Sequence, residues 1–349
     1  MAQSILIRTP NHLGDCIMAL PMVSETGEAY PGAQVTILAP ENLVDLYKYN
    51  PAVDQILSIP SQHVHGLLAV MKIKDIISAH NFDIGYVLPP SFGAAAGFKL
   101  GGVKKRIGYI ADGRRLMLSK PLPLPAPLNA EHRSELYFNL LLRGAGAEME
   151  FTHPKLFLND DDMAAGSRIL SGFGIADDHA YAVVTFRAVA ESRRWGQQNY
   201  TDLIKQIITK YGLKVVLTGS VDDQREGEAI AAAAGATDVV NVAGKTSLRE
   251  SAAIMSRAAF FVGNDSGGAH LAAAVGCPLV VLSGADDPKS TSPVAANKRL
   301  VYLDNLDCIS CVKNRCPLKC DQNMACMKGI SVDMVMQQIE SLLSPAGPA

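Results

Sequence analysis

The chain has 349 residues, of which 48% are hydrophobic, and a formal net charge of −2 at pH 7. This length exceeds one typical domain and suits two, each large enough to bury a core. The near-neutral charge argues against general binding to nucleic acid, and no run of about 18 apolar residues predicts a membrane-spanning helix. Residues 1–7 lead into a strand and lack the basic and small-residue regions of a secretory signal, so we expect a cytoplasmic protein.

The first half of the chain alternates strand and helix patterns. The predicted strands are residues 4–9, 34–39, 53–59 and 82–88, and the predicted helices are residues 13–30, 41–49, 63–80 and 131–143. The segments between the strands are long enough for right-handed crossovers, which predicts a parallel sheet. This half therefore has the pattern of a doubly wound α/β domain.

The second half repeats the alternation. Its predicted strands are residues 181–186, 214–218, 239–242, 258–262 and 279–282, and its predicted helices are residues 160–171, 200–211, 225–234 and 247–257. The boundary between the two patterns lies within residues 148–179, and we divide the chain into domains 1–160 and 161–349. Parallel sheets bind ligands at the carboxyl ends of their strands, so we expect the substrates in a cleft between the domains.

Residues 260–277 combine a buried strand, a tight turn and the start of a helix. Gly267 and Gly268 fall in the first helical turn, where backbone N–H groups lack intrahelical partners, and Ser266 precedes them as a helix cap. Such a turn can hold a phosphate group. The alternative is an ordinary connection whose glycines only allow close packing, and the segment alone favours neither interpretation.

A second candidate site follows the first strand, in the loop of residues 10–15. Gly14 permits a tight turn, and Asp15 stands at the start of the next predicted helix with its carboxylate directed at the predicted cleft. An acidic residue there is usually only a helix cap, but a catalytic base would have the same pattern. His12 is a rival base, although a loop histidine more often binds a ligand or faces solvent.

Cations are concentrated in the later part of the first domain. They are Lys104, Lys105, Arg106, Arg114, Arg115 and Arg133. A solvated basic face is one explanation for this group, and docking of an anionic substrate is the other.

Five of the seven cysteines lie between residues 308 and 326. In a cytoplasmic chain this density favours metal or redox chemistry over a framework of disulfides. Cys308 and Cys311 have the spacing of half a zinc site, but Cys316, Cys320 and Cys326 follow at irregular intervals. A bound metal, a disulfide and free thiols therefore stay open as alternatives.

Six motifs are spread along the chain. They are GDCIMALPMV after the first strand, YVLPPSF at residues 86–92, RRW at 193–195, AGKTSL at 243–248, NDSGGAHLAAA at 264–274, and the cysteine run near the carboxyl terminus. In this order, and over nearly the whole chain, they resemble the ADP-heptose:lipopolysaccharide heptosyltransferases of glycosyltransferase family 9. YVLPPSF and the following RIGY are most like the heptosyltransferase II branch. The resemblance implies a GT-B fold, which has two Rossmann-like doubly wound domains and an interdomain cleft.

The resemblance also implies an activity. The family transfers heptose with inversion from ADP-L-glycero-D-manno-heptose to the inner core of lipopolysaccharide, and here the second heptose is favoured, with an acceptor of the heptosyl-Kdo-lipid A type. No cofactor is expected. Domain 1–160 would bind the acceptor, and domain 161–349, with its Cys-rich loop 308–326 and carboxyl-terminal helix, would bind the ADP-sugar. The lipid acceptor would bring the protein to the inner leaflet of the membrane as a peripheral enzyme.

Roles for single residues follow from the same resemblance. Asp15 corresponds to the catalytic base, and Arg193 falls at a phosphate-binding lysine, with Ser266, Gly267 and Gly268 holding the same diphosphate. The other residues that the resemblance places in the donor site are Thr185, Arg194, Gly219, Ser220, Asp223, Lys245, Thr246, Asp265 and His270. The residues expected to meet the acceptor are His12, Lys104, Arg106, Arg114 and Arg115.

Two positions depart from the family pattern. Phe186-Arg187-Ala188 stands where many relatives have Pro-Gly-Ala, so Arg187 adds a charge that would either bind phosphate or block it. Arg193 replaces a lysine, and the two side chains differ in geometry. We therefore keep two alternatives: a non-catalytic nucleotide-sugar-binding protein, and a Rossmann-type oxidoreductase, which is less favoured because no G-x-G-x-x-G follows a strand.

Overall fold

The computed structural model describes residues 3–64, 66–125, 131–235 and 237–344. The chain forms two compact units, Met1–Phe157 and Leu158–Ala349. Each unit contains one six-stranded sheet, and helices connect its strands. The α/β class predicted from the sequence is therefore confirmed. Within the described residues, every helix is too short or too polar to span a bilayer.

The first unit is built on a parallel sheet. Its strands are β1 (Ser4–Arg8), β2 (Gln34–Pro40), β3 (Gln55–Ile59), β4 (Ile84–Val87), β5 (Lys105–Tyr109) and β6 (Lys120–Leu122). They lie in the order β3-β2-β1-β4-β5-β6, and all neighbours pair in parallel. The order reverses between β1 and β4, and doubly wound sheets bind ligands at the carboxyl ends of such strands.

In the first unit, the first three predicted helices are shorter or broken, and the fourth has the predicted length. They are α1 (Leu13–Met18), α2 (Leu20–Ser24), α3 (Thr26–Ala29), α4 (Gly66–Ser78), α5 (Phe92–Leu100) and α6 (Arg133–Ala145), with 3-10 turns at Glu41–Tyr47, Ser61–His63 and Arg114–Met117. The predicted helix 13–30 is three short helices that meet at Ala19 and Glu25, and Pro21, which lacks an N–H, interrupts the hydrogen bonding there. The predicted helix 41–49 is a 3-10 turn.

The second unit repeats the arrangement. Its strands are β7 (Tyr181–Thr185), β8 (Lys214–Leu217), β9 (Val239–Asn241), β10 (Phe260–Asn264), β11 (Leu279–Leu282) and β12 (Lys298–Val301). Their order is β12-β11-β10-β7-β8-β9, again all parallel. Here the order reverses between β7 and β10, where Thr185 lies opposite Gly263. The loops that follow these two strands thus start side by side.

The helices of the second unit follow the predictions more closely. They are α7 (Asp160–Gly172), α8 (Gln197–Tyr211), α9 (Gln224–Ala234), α10 (Leu248–Ser256), α11 (Gly267–Ala274), α12 (Pro288–Thr291), α13 (Ala325–Lys328) and α14 (Val332–Leu343), with 3-10 turns at Glu191–Arg193, Val221–Asp223 and Cys320–Gln322. Trp195 is buried beside Tyr200, and its indole N–H donates to the carbonyl of Ile330 at 2.8 Å. This contact anchors the loop before α8 to the region before α14.

Candidate active site

The turn between β10 and α11 is packed tightly against β7. A Cβ atom on Gly263 would lie 2.1 Å from Thr185 Oγ1, and one on Gly268 would lie 3.0 Å from Thr185 Cγ2. Ser266 has an extended backbone at the start of α11, and its hydroxyl does not cap the helix. The first N–H groups of α11 and the Ser266 hydroxyl are therefore available to a ligand, as a phosphate turn requires.

Arg193 is held by a buried carboxylate. Its Nη2 lies 2.6 Å from Oδ1 of Asp286, whose side chain is 7% exposed, whereas that of Arg193 is 32% exposed. Asp286 follows the carboxyl end of β11, the neighbour of β10. A cation suited to bind a diphosphate is thus fixed from the protein side, with part of its surface open.

Asp265 has the most perturbed carboxyl group of this region. It is 3% exposed. Burial raises the pKa of this carboxyl to about 7, the nearby Asp286 adds to the rise, and Arg193 and Lys298 oppose it. His270 Nε2 lies 3.9 Å from Asp265 Oδ1, and His270 is also buried. Two carboxylates and two cations therefore share a region from which water is largely excluded.

The unexpected Arg187 is balanced by acidic residues. Its Nε lies 3.5 Å from Asp223 Oδ1 and 3.2 Å from Glu226 Oε2. The other oxygen of Asp223 accepts hydrogen bonds from the N–H and the hydroxyl of Ser220, both at 2.8 Å. Gly219 packs on the same carboxylate, because a Cβ there would lie 2.8 Å from Oδ2. The charge of Arg187 is therefore compensated by two acidic residues at the start of α9.

Three other predicted donor-site side chains bond to their own surroundings. Arg194 Nε donates to the carbonyl of Ala188 at 2.9 Å, and Lys245 Nζ donates to a backbone carbonyl of β9 at 3.1 Å. The Thr246 hydroxyl lies 2.7 Å from that of Ser251. These contacts order the loops after β7 and β9 at the carboxyl edge of the sheet.

In the first unit, Asp15 lies on α1 with its carboxylate facing α6. Asp15 Oδ1 is 3.3 Å from Nη1 of Arg133, and the two side chains are 21% and 46% exposed. Burial raises the pKa of the Tyr137 hydroxyl well above its usual value, and the nearby Asp15 carboxylate adds to the rise. His12 precedes α1 and is exposed, and its side chain does not cap the helix. The carboxylate is thus partly open and oriented by a cation.

A buried arginine shapes the loop that leads to Asp15. Arg8, at the end of β1, is 1% exposed, and its guanidinium donates to the Thr9 carbonyl and, at 2.5 Å, to Asn11 Oδ1. Burial lowers the pKa of Arg8 to about 10. The group still carries its charge at neutral pH and fixes the loop through hydrogen bonds.

The cations predicted to meet an acceptor differ in their burial and in the protein groups that they already contact. Lys104 Nζ lies 2.8 Å from Asp83, and Arg106 donates to backbone carbonyls. Arg114 is 1% exposed and donates to the carbonyls of residues 109 and 89, so its expected role as a surface cation is corrected. Arg115 is exposed. Arg115 is therefore the best placed of these four to meet a ligand.

Two charged residues near Asp265 were not predicted, Asp286 and Lys298. Asp286 follows β11, so its position after a predicted strand was a signal that could have found it. Lys298 begins β12, and no sequence motif marks it. The pairing of Arg133 with Asp15 was also missed, because it joins residues 118 positions apart.

The cysteine run has no disulfide, and all seven cysteines of the chain are free thiols. Cys308, Cys311, Cys316 and Cys326 line one cavity of about 70 Å³. Cys320 is exposed outside it. With the side chains as they stand, no set of three or more His, Cys, Asp or Glu residues in the described ranges is arranged to hold a metal ion.

The sequence comparisons point to one family. The sequence model described as glycosyltransferase family 9 (heptosyltransferase) matches residues 70–321. Lipopolysaccharide heptosyltransferase 2 of Escherichia coli is 28% identical over 313 residues, which cover 86% of this chain and 88% of that protein.

Solved structures show the same likeness. The E. coli ADP-heptose LPS heptosyltransferase II superposes with a TM-score of 0.80 at 24% identity, over 98% of both chains. A family 9 glycosyl transferase from Veillonella parvula superposes with a TM-score of 0.85 at 19% identity, over 98% of this chain and 97% of that one. At these identities the structural likeness concerns the fold.

Proposed function

Because the chain belongs to glycosyltransferase family 9, the heptosyltransferases, we propose that it transfers heptose, with inversion, from ADP-L-glycero-D-manno-heptose to the inner core of lipopolysaccharide. The family match makes the chain a glycosyltransferase, which favours this function over the oxidoreductase and non-catalytic alternatives. The predicted GT-B fold is confirmed by the likeness to the solved heptosyltransferases. The name of the E. coli relative, heptosyltransferase 2, supports the second heptose as the one added.

The observation that carries the proposal is the family match over residues 70–321. This range contains the Arg193 loop and the turn before α11. In the proposed reaction, Arg193 and the first N–H groups of α11 hold the diphosphate as negative charge develops on the departing ADP. The Asp286 carboxylate presets the orientation of Arg193, so little reorganisation is needed when the donor binds.

The wider donor site is proposed from the loops at the carboxyl edge of the second sheet. Its members are Thr185, Arg193, Arg194, Gly219, Ser220, Asp223, Lys245, Thr246, Asp265, Ser266, Gly267, Gly268 and His270. Three of them, Arg194, Lys245 and Thr246, bond to neighbouring protein groups and would shape the pocket through the backbone.

Asp15 is proposed as the general base. It would take the proton from the acceptor hydroxyl while the hydroxyl oxygen attacks the anomeric carbon and the bond to the diphosphate breaks. The electron pair of that bond leaves with ADP, and attack from the opposite face inverts the anomeric centre. Arg133, whose Nη1 lies 3.3 Å from the carboxylate, would hold it in one orientation.

The acceptor is proposed to meet the first unit. His12 and Arg115 are exposed and would contact the phosphates and carboxylates of the lipopolysaccharide core, and Arg133 would contribute beside the base. Lys104 and Arg106 would act at the margin of this surface, since both already have partners. A lipid-linked acceptor implies that the enzyme works at the inner leaflet as a peripheral protein. The proposed reaction needs no cofactor.

A transfer assay tests the function. Purified protein is incubated with ADP-heptose and, in parallel, with Kdo-lipid A or heptosyl-Kdo-lipid A, and the products are identified by mass spectrometry. We expect a gain of one heptose on the heptosylated acceptor only. Transfer to the acceptor that lacks heptose would move the assignment to the first heptose. Absence of transfer to either would contradict the proposed acceptor.

The base assignment is tested by Asp15→Asn. Loss of general base catalysis should lower kcat by about 100-fold or more while the affinity for ADP stays unchanged. Asp75→Asn is the matched control, because Asp75 is an exposed carboxylate of α4 that pairs with Lys74. If Asp15→Asn retained the wild-type kcat, a different group would be the base.

A further inference from the structure

The cavity between residues 308 and 326 is lined by sulfur from three parts of the chain. Cys308 and Cys311 come from one turn, Cys316 from the following loop, and Cys326 from α13. The cavity, of about 70 Å³, leaves room for a single ion. The fold therefore selects four of the five clustered cysteines, a choice that their irregular spacing does not reveal.

The backbone around these cysteines is held in unfavourable conformations. Six non-glycine residues in the described ranges have a positive φ, and four of them are Ser310, Val312, Cys320 and Met324, with φ of 57°, 53°, 53° and 56°. Such a conformation costs about 1–3 kcal/mol and persists only where the surroundings enforce it. For Val312, which is β-branched, the conformation is a true outlier. Two of these residues, Ser310 and Val312, flank Cys311.

One of these sulfur atoms already accepts a hydrogen bond from the backbone. The Met324 N–H donates to Cys316 Sγ at 3.3 Å, a hydrogen bond that strengthens when the sulfur is a thiolate. Cys316 lines the same cavity as Cys308, Cys311 and Cys326, so a cation there would meet four thiol groups.

We propose that Cys308, Cys311, Cys316 and Cys326 bind one thiophilic divalent ion, Zn²⁺ or Fe²⁺, as a tetrahedral four-thiolate site. Each thiol releases its proton to solvent as its sulfur binds. Because no set of three or more His, Cys, Asp or Glu residues in the described ranges is already arranged to hold an ion, binding would require these side chains to move so that each sulfur lies about 2.3 Å from the metal. Cys320 is exposed and takes no part.

The proposed ion would support the donor region. Ser192, which precedes Arg193, donates its hydroxyl to the carbonyl of Lys313 at 2.5 Å. On the other side, the Val312 N–H donates at 2.7 Å to the carbonyl of the residue before Asp286. The cysteine loop therefore holds both members of the Arg193–Asp286 ion pair, and fixing the loop with a metal would fix that pair.

The binding itself is tested by metal analysis of the full chain, purified without chelator. We expect about one ion per chain, and the element found distinguishes zinc from iron. Cys311→Ser should lose most of it, and Cys320→Ser, the matched control, should retain it. Because Cys311→Ser also risks misfolding, wild-type protein stripped of metal is titrated with Co²⁺, which should give thiolate charge-transfer bands and the intense visible bands of tetrahedral cobalt.

Several results would overturn the site. They are wild-type protein without bound metal and without those cobalt bands, an equal loss of metal in Cys320→Ser, or thiol titration that shows the four cysteines paired in disulfides. None of these measurements depends on the proposed transferase function.

The effect on the donor region rests on the proposed function and is measured separately. Stripping the metal should raise the KM for ADP-heptose several-fold and leave the acceptor KM unchanged, and adding back the ion should reverse the change. A metal that is bound but whose removal alters neither KM would leave the site in place and contradict the support of Arg193.

Discussion

At the scale of single residues, the proposed donor region concentrates buried charged groups. Asp265 and Asp286 are 3% and 5% exposed, and Arg193 and Lys298 are the cations that offset them. Burying a charged group costs free energy unless the group is paired, so this arrangement lowers the free energy of unfolding. It also holds the charged groups in position before a ligand binds. Such perturbed groups are typical of binding and catalytic sites. Two predictions follow from these residues.

The first concerns the pH dependence of stability. The pKa of Asp265 rises from 3.8 to about 7 on folding, so between these values the folded state binds a proton that the unfolded state has lost. The contribution of Asp265 to the free energy of unfolding is therefore greatest below about pH 4, falls as pH rises, and is lost near pH 7. Asp265→Asn removes this penalty. The free energy of unfolding of the variant minus that of the wild type should grow by up to about 4 kcal/mol between pH 4 and pH 8.

Denaturant unfolding at several pH values measures this difference. Because every other titrating group is common to both proteins, the subtraction isolates the carboxyl of Asp265. A difference independent of pH would show that Asp265 is not protonated in the folded state at neutral pH.

The second concerns the affinity for the donor. Arg193→Ala removes a charged hydrogen-bond donor and leaves Asp286 buried without its cation, so the dissociation constant for ADP should rise about 10- to 100-fold. Arg193→Lys should recover part of the loss, since lysine keeps the charge without the planar fork. Isothermal titration calorimetry measures both. Arg225→Ala, on an exposed arginine of α9, is the control and should bind ADP like the wild type.

At the scale of elements, the sequence predicts most of the central strands but only two of the four edge strands, β3 and β9. β1, β4, β7, β10 and β11 are almost wholly buried, so each reads as an apolar run. β6 and β12 were missed because they are short and begin with charged residues, Lys120 in β6 and Lys298-Arg299 in β12, and β5 because it begins with Lys105 and Arg106. Central strands carry the proposed site at their carboxyl ends, and for that reason its loops could be located from the sequence. The ion pairs that join distant loops could not.

Helix α5 was missed for another physical reason. Its sequence, FGAAAGFKL, has two glycines and no helical alternation of polar and apolar residues. The helix forms because its small residues let α4 approach closely. A Cβ on Gly97 would lie 2.6 Å from Cγ2 of Ile73, and one on Gly101 would lie 2.7 Å from Ile77. Tertiary packing thus overrides local propensity.

This packing gives a prediction for α5. Gly97→Ala places a methyl group into Ile73 and should lower the free energy of unfolding by about 1–3 kcal/mol, although alanine favours helices in isolation. Gly172→Ala, at the end of α7, meets nothing within 4 Å and is the matched control, which should be neutral or slightly stabilising. Chemical denaturation of both variants measures the effect. An equally stable Gly97→Ala would mean that α4 and α5 can move apart at little cost.

At the scale of the whole molecule, one architecture occurs twice with different chemistry at its loops. Both sheets are parallel, six-stranded and reversed in order between two central strands. In the first unit, Asp15 lies in the first turn of α1, which follows β1, whereas the segments after β7, β10 and β11 in the second unit carry Arg193, Ser266 and Asp286. The proposed function assigns the acceptor to the first set and the donor to the second. Substitutions in the two units should therefore affect different kinetic constants.

Two-substrate kinetics tests this division. Arg115→Glu reverses an exposed charge in the first unit and should raise the KM of the anionic acceptor several-fold while the KM of ADP-heptose stays constant. Arg193→Lys should raise the KM of ADP-heptose and leave the KM of the acceptor constant. Higher salt should weaken the effect of Arg115→Glu, because an exposed charge is screened.

Since the two positions share no substrate, their effects on the transition-state free energy should add in the double variant to within about 0.5 kcal/mol. Equal changes in both KM values from Arg115→Glu would contradict the assignment of the acceptor to the first unit.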